Sequence, residues 1–194
     1  MNVQHINIKF FIENPEDVKL EEYSGVFNNW IQRGVTAELL IDVADYIHVH
    51  NGPGVILIGH EADYSLDHRA GRLGLLYNRK AQLDGSVQEK LAQAAGAALT
   101  AARLLEKENG VKFSGQEIQV TINDRLLVPN TSETFAALEP DLRTFFDTLY
   151  SGTEYSLAYQ SADSRERFTV NGKAAARFDV ELLLKNLSVE TAHA

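Results

Sequence analysis

The chain has 194 residues, 44% of them hydrophobic and 23% charged, which is long enough to bury a real core and ordinary for a globular protein. A formal charge of −9 disfavours duplex nucleic acid, whose phosphates require a clustered basic face, and no apolar run approaches the ~18 residues that span a bilayer. With no cysteine present, disulfides, thiol nucleophiles, Fe–S clusters and cysteine zinc sites are excluded, so a metal would have to take His, Asp or Glu ligands.

The first residues, MNVQHINIKFF, lack the basic and small-residue signature of a signal peptide, and the expectation is a cytoplasmic protein. Ile6, Ile8, Phe10 and Ile12 alternate with polar residues and predict a half-buried strand over 3–12. Asn14 and Pro15 then signal a helix start. Tyr23, Val26, Phe27, Trp30 and Ile31 recur at helical spacing as far as Gly34. Residues 38–50 and 54–65 read as two strands joined at NGPG, with 71–80 as a third.

Ser86 and Glu89 form an S-x-x-E capping box that opens a long alanine-rich helix ending at Asn109 and Gly110. Its narrow stripe of Val87, Leu91, Ala94, Ala98, Ala102 and Leu105 suits close packing, in the core or at a dimer seam. EIQVTINDRLLV (117–128) reads as a strand, and NTSE begins a helix that Pro140 is expected to break before it finishes at Gly152. EYSLAYQ and RERFTVNG predict a hairpin across SADS. FDVELLLKNL predicts a last helix, and SVETAHA is expected to fray.

Both halves, 1–110 and 111–190, read as strand, helix, hairpin, helix, with one extra strand in the first. No Pro/Gly/Ser linker divides the chain, so 1–194 is expected to be one domain. The predicted architecture is α+β, a mostly antiparallel sheet with helices on one face.

Four of the six histidines fall within DYIHVHNGPGVILIGHEADYSLDHR. His48 and His50, an H-x-H pair, would share one face of a strand, a spacing that metal sites use. A tight hairpin at NGPG would set His50 opposite Val55, His48 opposite Leu57, Tyr46 opposite Gly59 and Asp42 opposite Asp63. One face then carries Asp42, Tyr46, His48, His50, Glu61 and Asp63, and the other is apolar. In that register His48 and Glu61 lie about 13 Å apart by strand rise and do not share an ion. His60 points to the apolar side, near Tyr77 for a hydrogen bond. HVHNGPGVILIGH superficially resembles the metal motif of cupins, but the glutamate expected after the H-x-H is missing and the long helices contradict an all-β barrel.

Two aspartates facing each other would recruit an arginine such as Arg72 or Arg79 from the third strand, or raise one pKa. Arg69, Arg72, Arg79 and Lys80 form the densest basic group, which could bind an anionic small molecule but more often balances the acidic strand beside it. There is no Walker loop, G-x-G-x-x-G, G-x-S-x-G or H-E-x-x-H. Tyr155, Tyr159 and Phe168 could stack bases, but without basic residues in quantity the core is their better use.

The leading expectation is a non-catalytic, homodimeric domain that binds a small molecule or a protein through Asp42, Tyr46, His48, His50, Glu61, Asp63, Arg72 and Arg79, with no cofactor and no nucleic-acid or membrane partner. One alternative is a metal-dependent hydrolase that holds a divalent ion on His48 and His50 with a carboxylate. The other is a structural subunit of a larger assembly.

Overall fold

The computed structural model describes Met1, residues 3–160, Asp163 and residues 165–190. Among the described residues, eight strands, β1 (Ile6–Ile12), β2 (Leu40–Tyr46), β3 (Gly54–Gly59), β4 (Ala62–Asp67), β5 (Gly74–Arg79), β6 (Phe113–Ile122), β7 (Tyr155–Tyr159) and β8 (Phe168–Ala174), form one antiparallel sheet in the order β2-β3-β4-β5-β1-β6-β8-β7, and four helices pack on one of its faces, which is the α+β architecture expected. Strand β1 (Ile6–Ile12) lies near the middle, paired with β5 (Gly74–Arg79) on one side and β6 (Phe113–Ile122) on the other. Its even residues Ile6, Ile8 and Phe10 enter the core beneath the helices. Its odd residues Asn7, Lys9 and Phe11 face the side without helices, yet all seven positions are buried.

Helix α1 (Tyr23–Arg33) starts later than Asn14-Pro15 suggests. Pro15–Asp17 and Leu20–Glu22 form two short 3-10 turns instead. The reason lies in composition, because PEDVKLEE offers only Val18 and Leu20 to a core, whereas Tyr23, Phe27 and Trp30 all bury. Gly34 then ends the helix in the left-handed region at φ 59°.

The stretch 54–65 is two strands rather than one. Strand β3 (Gly54–Gly59) turns at His60 and Glu61 into β4 (Ala62–Asp67), so β2 (Leu40–Tyr46) through β5 make a four-stranded meander. The first half therefore carries two strands more than the second, not one. In both halves the last strand returns beside the first, β5 next to β1 and β8 next to β6.

Helix α2 (Val87–Asn109) has the expected capping box: Ser86 Oγ accepts from Glu89 N, and the Glu89 carboxylate accepts from Ser86 N. Its stripe of Leu91, Ala94, Ala98, Ala102 and Leu105 is buried within this chain, over β1 and β5 and between the other helices. The stripe therefore serves the core, and the motive for a dimer seam on this helix falls away.

Strand β6 starts four residues earlier than expected and stops at Ile122, because Asp124 Oδ1 accepts from Leu126 N and Leu127 N and folds the following residues into a turn. Helix α3 (Ser132–Leu149) runs unbroken through Pro140. Pro140 and Ala136, the residue whose carbonyl loses its partner, both lie on the exposed side, where water can take the freed bond. Strands β7 (Tyr155–Tyr159) and β8 (Phe168–Ala174) pair as the second hairpin, and α4 (Val180–Glu190) closes the helical layer. Of the predicted SADS turn only Asp163 is among the described residues. Residues 188–190 of the expected frayed tail are helical, and the remainder lies outside the described residues.

Candidate ligand-binding face

The register fixes which side chains share the face that no helix covers. Across β5, β1, β6 and β8, one row reads Asn78, Asn7, Thr121, Thr169, and the next reads Leu76, Lys9, Gln119, Asn171. Four adjacent strands thus contribute mostly polar side chains to one surface. The β4–β5 connection, with Ala70 in the left-handed region at φ 57°, adds Arg69 and Arg72, and Gln160 and Arg167 come from the β7–β8 hairpin. Together they enclose a cavity of about 300 Å³.

At its floor Lys9 Nζ lies 2.7 Å from Asp67 Oδ1, with the two side chains 4% and 2% exposed. Asp67 Oδ1 also accepts from Arg69 N at 3.2 Å. Oδ2 has no hydrogen bond among the described residues and only an ion pair to Arg69 Nε at 3.4 Å. Burial pulls the Lys9 ammonium below its ordinary pKa, against the opposing pull of Asp67. Beside this pair the buried Oδ1 of Asn7 has no hydrogen-bond partner among the described residues.

Arg72 makes a two-pronged ion pair with Glu117, at 2.7 and 3.0 Å, and its guanidinium lies 3.5 Å above the Phe11 ring. The bond from Arg72 holds Glu117 below the usual carboxylate range. Thr121 and Thr169 hydroxyls lie 3.0 Å apart and Gln119 Nε2 donates to Asn171 Oδ1 at 3.2 Å, so the cavity hydroxyls are bonded to each other rather than to a base. The face thus presents charges and hydrogen-bonding groups that the paired strands hold in place.

Of the basic group read from the sequence, Arg69 and Arg72 line this cavity, and the other proposed binding residues fall elsewhere. Strand β2 ends at Tyr46, and His48 and His50 sit exposed in the turn over 47–51. The expected register is corrected accordingly: Tyr46 lies opposite Gly54 rather than Gly59, and Asp42 opposite Ile58 rather than Asp63. NGPG closes no tight hairpin, because Val49 N bonds Tyr46 O and Gly52 N bonds Val49 O, so the turn takes up the histidines. Asp42 and Tyr46 are exposed on the edge strand.

Asp63 pairs with Lys80 at 2.7 Å, not with an arginine. Arg79 donates to Ala81 O, and Glu61 accepts from Leu39 N. His60, expected to point into the core, has a 70% exposed side chain beside Glu61, because it occupies the β3–β4 turn. The partner of Tyr77 is Glu38, whose two carboxylate oxygens accept from Tyr77 and Tyr64 at 2.9 and 2.8 Å at the edge of a second hollow of about 250 Å³. Tyr155, Tyr159 and Phe168 pack among rings of the core, including Phe135 and Phe146. Among the described residues no group of three His, Asp or Glu side chains could hold a metal ion.

Sequence reasoning passed over Asn7, Lys9, Gln119, Thr121 and Arg167. The polar positions of β1 resemble any solvent-facing alternation. Their one local signal is that INIKFF places apolar Phe11 in the same parity as Asn7 and Lys9, where a wholly solvated face would carry another polar residue.

The chain matches no protein-family model, no curated protein sequence and no solved structure. No helix is long and apolar enough to cross a membrane among the described residues.

Proposed function

We propose that this protein is a non-catalytic binding domain that holds a small polar molecule on the helix-free face of its sheet. The observation that carries this reading is the polar cavity of about 300 Å³, whose lining residues Asn7 and Asp67 each hold a buried side-chain oxygen, Oδ1 and Oδ2, with no hydrogen bond among the described residues. A buried acceptor without a donor costs ~1–3 kcal/mol. A fold built for stability alone would fill these positions with apolar side chains. A bound molecule that presents N–H or O–H groups supplies the missing donors.

Thermal denaturation of the full chain against a panel of polar metabolites tests this. A ligand held at 100-fold its Kd stabilises by ~2.7 kcal/mol, enough to raise Tm by several degrees. Asn7→Leu, which removes an amide oxygen with no hydrogen-bond partner among the described residues, should fold and should abolish that rise. A panel without any shift, or a shift that Asn7→Leu leaves intact, rules the reading out.

A further inference from the structure

The cations around the cavity are unequally provided for. Four cationic side chains, Lys9, Arg69, Arg72 and Arg167, line it against the carboxylates of Asp67 and Glu166, a local positive excess in a chain whose formal charge is −9. Lys9 has Asp67 at 2.7 Å and Arg72 has both oxygens of Glu117. Arg69 has only the 3.4 Å approach to Asp67 Oδ2. The Arg167 guanidinium, although partly buried, makes no hydrogen bond or ion pair among the described residues.

Burial and then the like charge of Arg69, with a smaller contribution from Arg125, pull Arg167 below its ordinary pKa, while Asp67 and Glu166 oppose this only through space. A desolvated guanidinium with five N–H donors and no acceptor is costly, and a like-charged neighbour adds to the cost. One oxyanion between Arg167 and Arg69 removes both terms, through the planar fork that suits carboxylates and phosphates.

The same cavity limits the remainder of the molecule. Asn7 Oδ1 and Asp67 Oδ2 need donors, which inorganic phosphate supplies poorly. A cavity of about 300 Å³ suits a small metabolite, and a further hollow of about 490 Å³ shares Gln160, Glu166, Arg167 and Thr169 with it.

Resting on the binding-face reading above, we infer that the ligand is a small organic oxyanion, a carboxylate or phosphate monoester, that also carries hydroxyl or amino groups. Its anionic group sits on Arg167 and Arg69. Its donors lie over Asn7 and Asp67.

The test is calorimetric titration of the full chain with four probe sets: neutral polyols and nucleosides, hydroxycarboxylates and amino acids, sugar phosphates, and inorganic phosphate alone. Binding is expected from the second or the third set, which separates the two sources of the anion. Affinity should fall as salt rises and should fall at least tenfold in Arg167→Gln, while Arg103→Gln, exposed on α2 on the other side of the sheet, changes nothing.

Without ligand, Arg167→Gln should melt at or above the wild-type temperature, because it removes a half-buried charge that has no partner among the described residues. A drop of several degrees would show that the guanidinium has a structural partner and would overturn the inference. Binding of neutral polyols that Asn7→Leu abolishes and Arg167→Gln does not touch would also overturn it while leaving the binding face intact. Inorganic phosphate binding as tightly as the organic probes would remove the need for donors on the ligand. Failure of every set would overturn the binding face and this inference together.

Discussion

Lys9 and Asp67, 58 positions apart in the chain, form a 2.7 Å ion pair on the helix-free face of the sheet, nearly without exposure to water. The pair spans two strands that are not themselves neighbours, since β5 lies between β1 and β4. Lys9 reaches across this gap over Gly74, which sits opposite Phe11 and has no side chain to obstruct it. Taking two such charges out of water costs several kcal/mol, and their attraction only roughly repays it.

Breaking the pair from one side should therefore be far worse than removing it whole. Lys9→Met leaves the Asp67 carboxylate buried against a weak Arg69 contact, and Asp67→Leu leaves the ammonium without its anion. Each should cost about 3–5 kcal/mol in urea unfolding. The double variant should recover most of that loss. A loss in the double variant equal to the sum of the two single losses would mean that the two residues do not act as a pair.

The outline of this fold was legible because its signals are local. The alternation of Ile6, Ile8, Phe10 and Ile12, the Ser86–Glu89 capping box and the Gly34 and Gly110 stops each rest on a few neighbouring residues, and each was found where expected. The candidate site was mostly illegible, because it depends on β1 pairing with β5 and β6, a choice made over long separations. The histidine-rich stretch failed for another physical reason. A period-two pattern specifies facing only once the turn length is known, and the turns at 47–51 and at His60-Glu61 are set by backbone bonds that composition does not reveal. Arg69 and Arg72 belong to both the basic group of the sequence and the cavity. Arg72, a candidate partner for acidic residues, has one in Glu117, contributed by a strand from the other half.

Gly172 illustrates a residue whose meaning changed with context. In the sequence NG closes a hairpin strand, but in the fold Gly172 lies inside β8 opposite Ile118, and a Cβ there would run into the ring of Phe146. The sheet and α3 approach each other through the missing side chain. Gly172→Ala should destabilise by about 1–3 kcal/mol through overpacking, measured as a lower urea midpoint at unchanged slope. Adding Phe146→Leu should give part of this back, and an additive loss would show that the two residues are not in conflict.

The carboxylate of Glu38 gives the fold a measurable response to alkali. It accepts from Tyr64 and Tyr77, and burial first, with the Glu38 charge beside it, pushes the Tyr77 phenol up to about 12 from its ordinary value of 10.0. Tyr64 moves in the same direction for the same reasons. Because the folded pKa is raised, the folded chain holds protons that the unfolded chain has lost between these values. The contribution is therefore complete below pH 10 and disappears as pH rises towards 12. Its size for Tyr77 is on the order of 2 kcal/mol. Unfolding free energies taken every half unit from pH 9 to 12 should fall more steeply for wild type than for Tyr77→Phe, and the difference between the two curves isolates this phenol from the lysines that titrate nearby. Glu38→Gln should bring tyrosinate absorbance at 295 nm to lower pH, since it removes the charge that opposes ionisation. Parallel curves for wild type and Tyr77→Phe would show that the phenol titrates alike in the folded and unfolded chains, contrary to its burial against Glu38.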